Sequence, residues 1–331
     1  MIDPAIVRRH RPVLVLVGPT AVGKSALALA LAQRLGTEVL AADSRQVYRG
    51  MAIATDTPPM GARQGVPHRL IDCADPDEPC NAGRYVDLAR VEIARLHEAG
   101  QLPLIVGGTG LWVRALLGGL CEAAPSDAET RQVLERELAA VGAQGMHARL
   151  SEVDPASAAR LHPNDRVKVL RALEVHRLTG RRLSDLHADH TFSARAYPSL
   201  QLGLTRDRAD LYARIEQRID RMMARGLVDE VRTLLTAGYS RELGSMKGLG
   251  YKQIAGYLAG EYDEAEAVRL LKRDTRHYAK RQLTWFRKEP DVRWCRLAPG
   301  DEATSLCDEM LGVVAKFFDD LAAADTAADV R

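Results

Sequence analysis

Sulfur is scarce and badly spaced for structural use in this 331-residue sequence. Its five cysteines, Cys73, Cys80, Cys121, Cys295 and Cys307, form no CxxC pair and are odd in number. That argues against a disulfide framework and against a structural zinc site, and suits a reducing cytosol. None of the nine histidines shows metal-ligand spacing such as HExxH, so His187 and His190 read as surface residues. No apolar run is long enough to span a bilayer, and the opening MIDPAIVRRHRP lacks the apolar region of a secretion signal. There is also no internal repeat and no low-complexity linker. A cytoplasmic protein without a membrane anchor is expected.

What is present is a globular composition, 46% apolar and 27% charged, on a chain long enough for one large domain plus a subdomain. The net charge of +2 conceals an asymmetry. Residues 301–331 hold eight acids against Lys316 and Arg331, so the first 300 residues carry an excess of about eight positive charges. A basic body is compatible with a polyanionic partner, and equally with an unevenly decorated surface.

Val13–Val17 (VLVLV) is continuous, mostly β-branched and bounded by Gly18-Pro19, which predicts a fully buried strand. A helix is expected over Ala26–Leu35, stopped by Gly36, then strands at Glu38–Ala42 and Arg69–Cys73. Arg84–Glu98 reads as a helix and Leu102–Val106 as another buried strand running into Gly107-Gly108. Strands alternating with helices predict an α/β fold, a parallel sheet of the P-loop NTPase type flanked by helices.

After Cys121 the pattern is all-helical, with segments at 127–140, 144–151, 155–161 and 165–179 and candidate caps at Ser126, Asp154 and Asn164. Ser199–Thr205 restores a strand, so residues 122–197 read as an inserted helical subdomain within a core of 12–121 and 198–322. Helices follow at 207–225, 227–237, 247–259 and 263–287, then a strand at Val292–Leu297 and a helix over 301–322. Residues 1–11 and 323–331 are expected to be flexible termini.

Gly18-Pro19-Thr20-Ala21-Val22-Gly23-Lys24-Ser25 satisfies GxxxxGK[ST] after a buried strand and before a helix. Glycines let backbone N–H groups converge on phosphate oxygens, and the helix N-terminus adds partial positive charge. Lys24 can reach a distal phosphate, and the Ser25 hydroxyl can ligate Mg²⁺. This points to di- or triphosphate binding without saying what the phosphate is attached to. No apolar strand ends in an acid of Walker B character and there is no guanine-specificity signature. A small kinase or a transferase therefore fits better than a motor or a GTPase.

Asp43-Ser44-Arg45-Gln46 lies at the carboxyl end of the second strand, where open parallel sheets hold ligands. Asp43 there could take a proton from a nucleophile, hold a metal, or simply cap a helix. Gly107-Gly108-Thr109-Gly110 ends another strand: either a tight turn or a site where Thr109 bonds a ligand.

The motifs GPTAVGKS, AADSRQVYRGMAIATDTP, PHRLID, LPLIVGGTGLWVRALLGGL, HPNDRVKVLRALEV, GLGYKQI and KRQLTWFRK occur in the order seen in tRNA dimethylallyltransferases. The similarity runs from about Val13 to Trp294 and resembles the bacterial form, since no Cys/His zinc finger follows. The resemblance implies transfer of a dimethylallyl group from dimethylallyl diphosphate to the exocyclic amine of the adenosine 3′ of the anticodon in tRNA. It implies that Gly18–Ser25, with Thr20, Gly23, Lys24 and Ser25 foremost, grip the pyrophosphate, with Mg²⁺ on Ser25. Arg218 matches the family arginine on the same group, with Arg214 one helical turn away as the alternative. Asp43 matches the general base and Thr109 its partner at the adenine amine.

By the same resemblance, Asp43–Gln46, Thr109, Val167–Arg171 (Val167, Lys168, Val169, Leu170, Arg171) and Lys247–Lys252 (Lys247, Gly248, Leu249, Gly250, Tyr251, Lys252) match tRNA-contacting segments, and Arg131 is a further candidate. Taken alone, the seven basic residues against two acids in 160–182 read as a solvated helix face. Lys280, Arg281, Trp285 and Arg287 mix cations with an aromatic as RNA contacts do, although Trp285 and Phe286 read as core. The expectation is a monomeric enzyme whose inserted helices close on the anticodon arm. Its rivals are a small-molecule P-loop kinase using Asp43 on a hydroxyl, an isopentenyltransferase for free nucleotides, and a non-catalytic RNA-binding module. The last would need neither the GKS cradle nor Asp43.

Overall fold

A computed structural model describes residues 2–119, 127–189 and 195–329, so Cys121 and His190 lie outside the described residues. Two compact units divide the chain: residues 1–117 with 197–331, and residues 118–196.

In the first unit, helix α1 (Pro4–His10) precedes strand β1 (Val13–Val17), α2 (Lys24–Leu35), β2 (Val39–Ala42), β3 (His68–Arg69), α3 (Ala82–Glu98), β4 (Leu104–Gly107) and α4 (Gly110–Gly118). Residues 3–11 are thus not a loose terminus. Asp3 caps α1 by accepting the Ala5 N–H, Pro4 presets its first turn, and Val7 is fully buried. Strand β3 is shorter than the sequence predicts because Leu70 and Asp72 adopt positive φ of 63° and 49°, which no strand can continue.

The second unit holds α5 (Ala128–Val153), α6 (Pro155–Arg160), α7 (Arg166–Thr179) and α8 (Leu183–Asp189). Gly142 breaks α5 with φ 72° and ψ 178°, giving the two runs that the sequence predicts as separate helices. Ser126 also lies outside the described residues, and Asp127 caps α5 by accepting the Thr130 N–H. Asp154 does cap α6, through the Ser157 N–H at 2.9 Å. The expected Asn164 cap is displaced by one residue: Asp165 occupies the cap position of α7 and its side chain makes no capping bond. Leu134, Met146, Leu150, Val169, Leu170 and Leu173 form this unit's own core.

Strand β5 (Ser199–Arg206) returns to the first unit, followed by α9 (Arg208–Ala224), α10 (Leu227–Thr236), α11 (Tyr251–Leu258), α12 (Glu264–Phe286), β6 (Val292–Leu297) and α13 (Cys307–Asp329). The last helix carries the backbone past residue 322, where the sequence suggests fraying; its apolar face, including Met310, Val314 and Phe318, is buried.

All strand pairs are parallel, in the order β3-β2-β4-β1-β5-β6. Every side chain of β1 is buried, as its unbroken apolar run requires. Register places the site. Val17 pairs with Gly107, and Gly107 pairs with Ala42, so Gly18, Gly108 and Asp43 leave the sheet side by side at one edge. Gly107 is obligatory: a Cβ there would stand 2.0 Å from the Ala42 carbonyl oxygen, so β2 and β4 approach as only glycine permits.

Candidate active site

The turn after β1 is built on positive φ at Gly18 (147°) and Gly23 (112°), and α2 starts at Lys24. The Lys24 ammonium donates to the carbonyls of Gly18 and Pro19 at 2.9 and 2.8 Å, folding its charge over the loop. Burial pulls its pKa down to about 8, opposed by the nearby Asp43 carboxylate and assisted by Arg218. Two arginines of α9 reach the same loop. Arg218 donates to the Thr20 hydroxyl at 2.8 Å, and Arg214 donates to the Ala21 carbonyl at 3.3 Å. Both line the cavity.

Behind the loop sits Arg206, at the end of β5 and fully buried. It donates to the carbonyls of Val22 (2.9 Å) and Asp301 (2.6 Å) and pairs with Asp210 at 2.9 Å. A buried guanidinium satisfied on three sides fixes the backbone it touches. Gly23 has no room for a side chain on this flank, since a Cβ would lie 2.6 Å from that of Ala303.

Asp43, at the end of β2, accepts the Arg45 N–H at 2.9 Å with one carboxylate oxygen, a local turn bond. It also lines the cavity that holds Lys24, Ser25, Arg214 and Arg218, a space of about 370 Å³. The carboxylate therefore shares an open cleft with the phosphate loop. Thr109 accepts the Ser44 N–H at 3.0 Å, and its own N–H donates to Ala42 at 3.2 Å, which secures both neighbours of Asp43. Burial, followed by the Asp43 charge, raises the phenol of Tyr278 on α12 above the usual range.

A second cavity of about 280 Å³ adjoins the first, with Thr20, Asp43, Thr55, Arg218 and Tyr278 lining both. Its remaining wall combines an apolar strip, Ile215, Ile219, Met222, Leu249 and Leu271, with the cations Arg45, Lys247, Lys252 and Arg281. The loop on its rim is held by Glu230, which accepts the Ala52 and Ile53 N–H groups and the Tyr251 hydroxyl at 3.0, 2.8 and 2.7 Å.

Several residues singled out in the sequence cannot touch RNA through their side chains. Val169 and Leu170 belong to the core of the second unit, and Tyr251 is fully buried on Glu230. Lys247 and Lys252 are exposed and pair with Glu242 and Asp274, while Arg45 donates to the Gly244 carbonyl and Gln46 to the Thr55 carbonyl. In the second unit Val167 is exposed, Lys168 pairs with Asp165, and Arg131 and Arg171 both meet the buried Glu174. Phe286 is core as expected. Trp285 is half-buried, with the Arg114 guanidinium 4.3 Å from its ring centroid.

Gln282, Tyr278 and Arg206 escape a sequence reading, but α12 carries a usable signal. Leu271, Thr275, Tyr278 and Gln282 recur at helical spacing on one face, and all four line the cleft. Polar residues continuing an inward-facing stripe mark a site.

Among the described residues, no group of three or more His, Cys, Asp or Glu side chains gathers as a metal cluster, and no helix is long and apolar enough to cross a membrane.

The family model described as IPP transferase matches residues 46–289, and that of isopentenyl transferase matches residues 11–67. A tRNA dimethylallyltransferase from Syntrophobacter fumaroxidans is 51% identical over 283 residues, 86% of this chain and 83% of that protein. The crystal structure of full-length tRNA isopentenylpyrophosphate transferase from Bacillus halodurans superposes with a TM-score of 0.72 at 38% identity, covering 96% of this chain and 99% of that one. A eukaryotic dimethylallyltransferase acting on tRNA gives a TM-score of 0.75 at 27% identity, over 86% of this chain and 73% of its own. With a matched span of more than half its length and relatives this similar along most of it, the chain belongs to the IPP transferase family, that of the tRNA dimethylallyltransferases.

Proposed function

We propose that this enzyme transfers the dimethylallyl group of dimethylallyl diphosphate to the exocyclic amine of the adenosine 3′ of the anticodon in tRNA, releasing pyrophosphate. One observation carries the reading: a polar cavity around the phosphate loop adjoins a second one with an apolar strip along its wall, and Asp43 borders both. A diphosphate joined to a short apolar chain needs that pairing. A kinase for a small alcohol has no use for the wall of Ile215, Ile219, Met222 and Leu271.

The chemistry follows from the placement. An allylic carbon losing pyrophosphate takes on cationic character, so the main task is to stabilise charge on the departing oxygens. Lys24, Arg214 and Arg218 all line that volume, so their charges stand beside the departing oxygens. Arg206 and the glycines hold the loop in place. An aromatic amine is a weak nucleophile, and Asp43 relieves it of a proton as the new C–N bond forms, with Thr109 positioned beside it. The target base must leave its stack to enter such a site.

The donor set suits Mg²⁺, which binds diphosphate oxygens and keeps several waters, so it needs few protein ligands. The Ser25 hydroxyl, in the cavity wall at the start of α2, would hold it, and the ion would supply further charge neutralisation. For RNA, the exposed cations Lys247 and Lys252 in the first unit and Arg166 and Lys168 in the second supply contacts to phosphate. A tRNA substrate and free thiols both suit a cytoplasmic enzyme, and we take the single chain as the working unit.

The test is to offer the purified protein radiolabelled dimethylallyl diphosphate or γ-labelled ATP, each with unmodified tRNA. Label entering RNA from the allylic donor alone is expected; label arriving from ATP would overturn the reading.

A further inference from the structure

Residue Gln282 sits on α12, about 6% exposed, with its amide between two backbone groups. Its carbonyl oxygen accepts the Thr20 N–H at 2.8 Å, and its NH₂ donates to the Gly108 carbonyl at 2.9 Å. Thr20 lies in the phosphate loop after β1, and Gly108 lies in the turn after β4. The match of polarity is strict, because Thr20 N–H can only donate and Gly108 C=O can only accept. Of the side chains of this length, only glutamine answers both at neutral pH. Gly108 is shaped to receive it, for a Cβ there would fall 2.1 Å from the Gln282 nitrogen.

The bridge does not stop at Gly108. Thr109 donates its N–H to Ala42 and accepts the Ser44 N–H, at 3.2 and 3.0 Å. Those two residues flank Asp43. A continuous set of hydrogen bonds therefore runs from the loop that grips the leaving group to the segment that carries the base.

We propose that Gln282 is a positioning residue that holds the phosphate loop and Asp43 at their working separation. The proposal rests on the prenyl-transfer reading of the cleft. It differs from a role in binding, since Gln282 takes up the Thr20 N–H that would otherwise be free to donate to a phosphate oxygen. A misplacement of about 1 Å between reacting groups costs on the order of 10²-fold in rate.

Two substitutions and three measurements test it. For Gln282→Leu, which keeps the bulk and removes both bonds, inorganic pyrophosphate affinity by calorimetry should stay within about threefold of wild type. Single-turnover transfer should fall on the order of 10²-fold. For Gln282→Glu, transfer should be low at pH 8 and recover relative to wild type towards pH 6, because a neutral carboxyl can donate to Gly108 and a carboxylate cannot. Gln282→Leu should show no such recovery. Equal losses of pyrophosphate affinity and rate in Gln282→Leu would reduce Gln282 to a wall of the cradle and overturn the proposal, as would an unchanged rate. Should Gln282→Leu fail to fold, the pH recovery of Gln282→Glu decides alone: its absence refutes the bridge. Hydrogen exchange separates this question from the reading beneath it. The Thr20 amide should be protected in wild type and exposed in Gln282→Leu whether or not the substrate is a prenyl donor, and equal protection of the two would overturn the bridge. A wild type that binds pyrophosphate but transfers no label would sink the prenyl reading instead.

Discussion

The sheet edge and the second helical unit are both rich in cations, yet they hold them in opposite ways. At the edge, Lys24, Arg206 and Arg214 lean on backbone carbonyls of the phosphate loop and of the segment beside it. In the helical unit, Lys168 and Arg177 lean on the half-buried carboxylates of Asp165 and Glu137. A carbonyl grip fixes where a charge sits relative to the main chain, which a small reacting anion requires. A carboxylate partner on an exposed helix can be exchanged for a phosphate at little cost, which suits a long polyanion met at many points.

The sharpest way to probe that contrast is to remove the one carboxylate of the edge that has chemistry to do. Asp43→Ala should lower single-turnover transfer by about 10²–10⁴-fold while leaving tRNA binding in place, as read by filter binding. Turnover equal to wild type would take the base assignment away.

Asp154 breaks the contrast from the other side, because it is a helical-unit charge held by backbone. Burial would raise its carboxyl, but bonds from Ser157 and Ser184 outweigh that and hold it at about 2, against an ordinary value of 3.8. Its stabilisation, about 2 kcal/mol, is therefore present above pH 3.8 and lost as the pH falls to about 2. Acid melts of wild type and Asp154→Asn should differ above pH 4 and meet near pH 2; parallel curves would remove Asp154 from the account.

Lys24 ties the edge to pH. With its folded pKa lowered to about 8, the free enzyme should lose pyrophosphate affinity about tenfold per unit as the pH rises past 8, in calorimetric titrations. Lys24→Arg, charged throughout, should show no such limb.

The smallest effect belongs to an exchangeable charge. Lys168→Ala should weaken tRNA binding a few-fold and reduce the salt slope by about 1. An unaltered slope would move Lys168 off the interface. Arg131 and Arg171 are poorer probes, since both neutralise the buried Glu174 and their loss would also strain the fold.

Features encoded in consecutive residues are legible in the sequence itself. The run VLVLV, the glycine spacing around Lys24 and the acid after Ala42 mark the central strand, the glycine loop and the carboxylate beside it within a few positions. Capping is legible to within a residue: Asp154 as expected, Asp165 one place beyond Asn164. What escapes depends on distant partners. Nothing near Gln282 announces that its amide meets Thr20, and nothing in the HPNDRVKVLR stretch separates the buried Val169 from the exposed Val167 except the helices that α7 packs against. Strand β3 is shorter than its sequence suggests because φ at Leu70 and Asp72 is set by tertiary context, not by their own preference.

The hydrogen bond between Thr20 and Gln282 spans 262 positions of chain, which has a consequence for biosynthesis. A ribosome adding roughly 5–20 residues each second makes the cradle early and its brace tens of seconds later. Nascent chains that stop short of α12 would display the glycine motif yet lack the Gln282 amide that meets Thr20, so on the proposed reading full competence waits until α12 has been made.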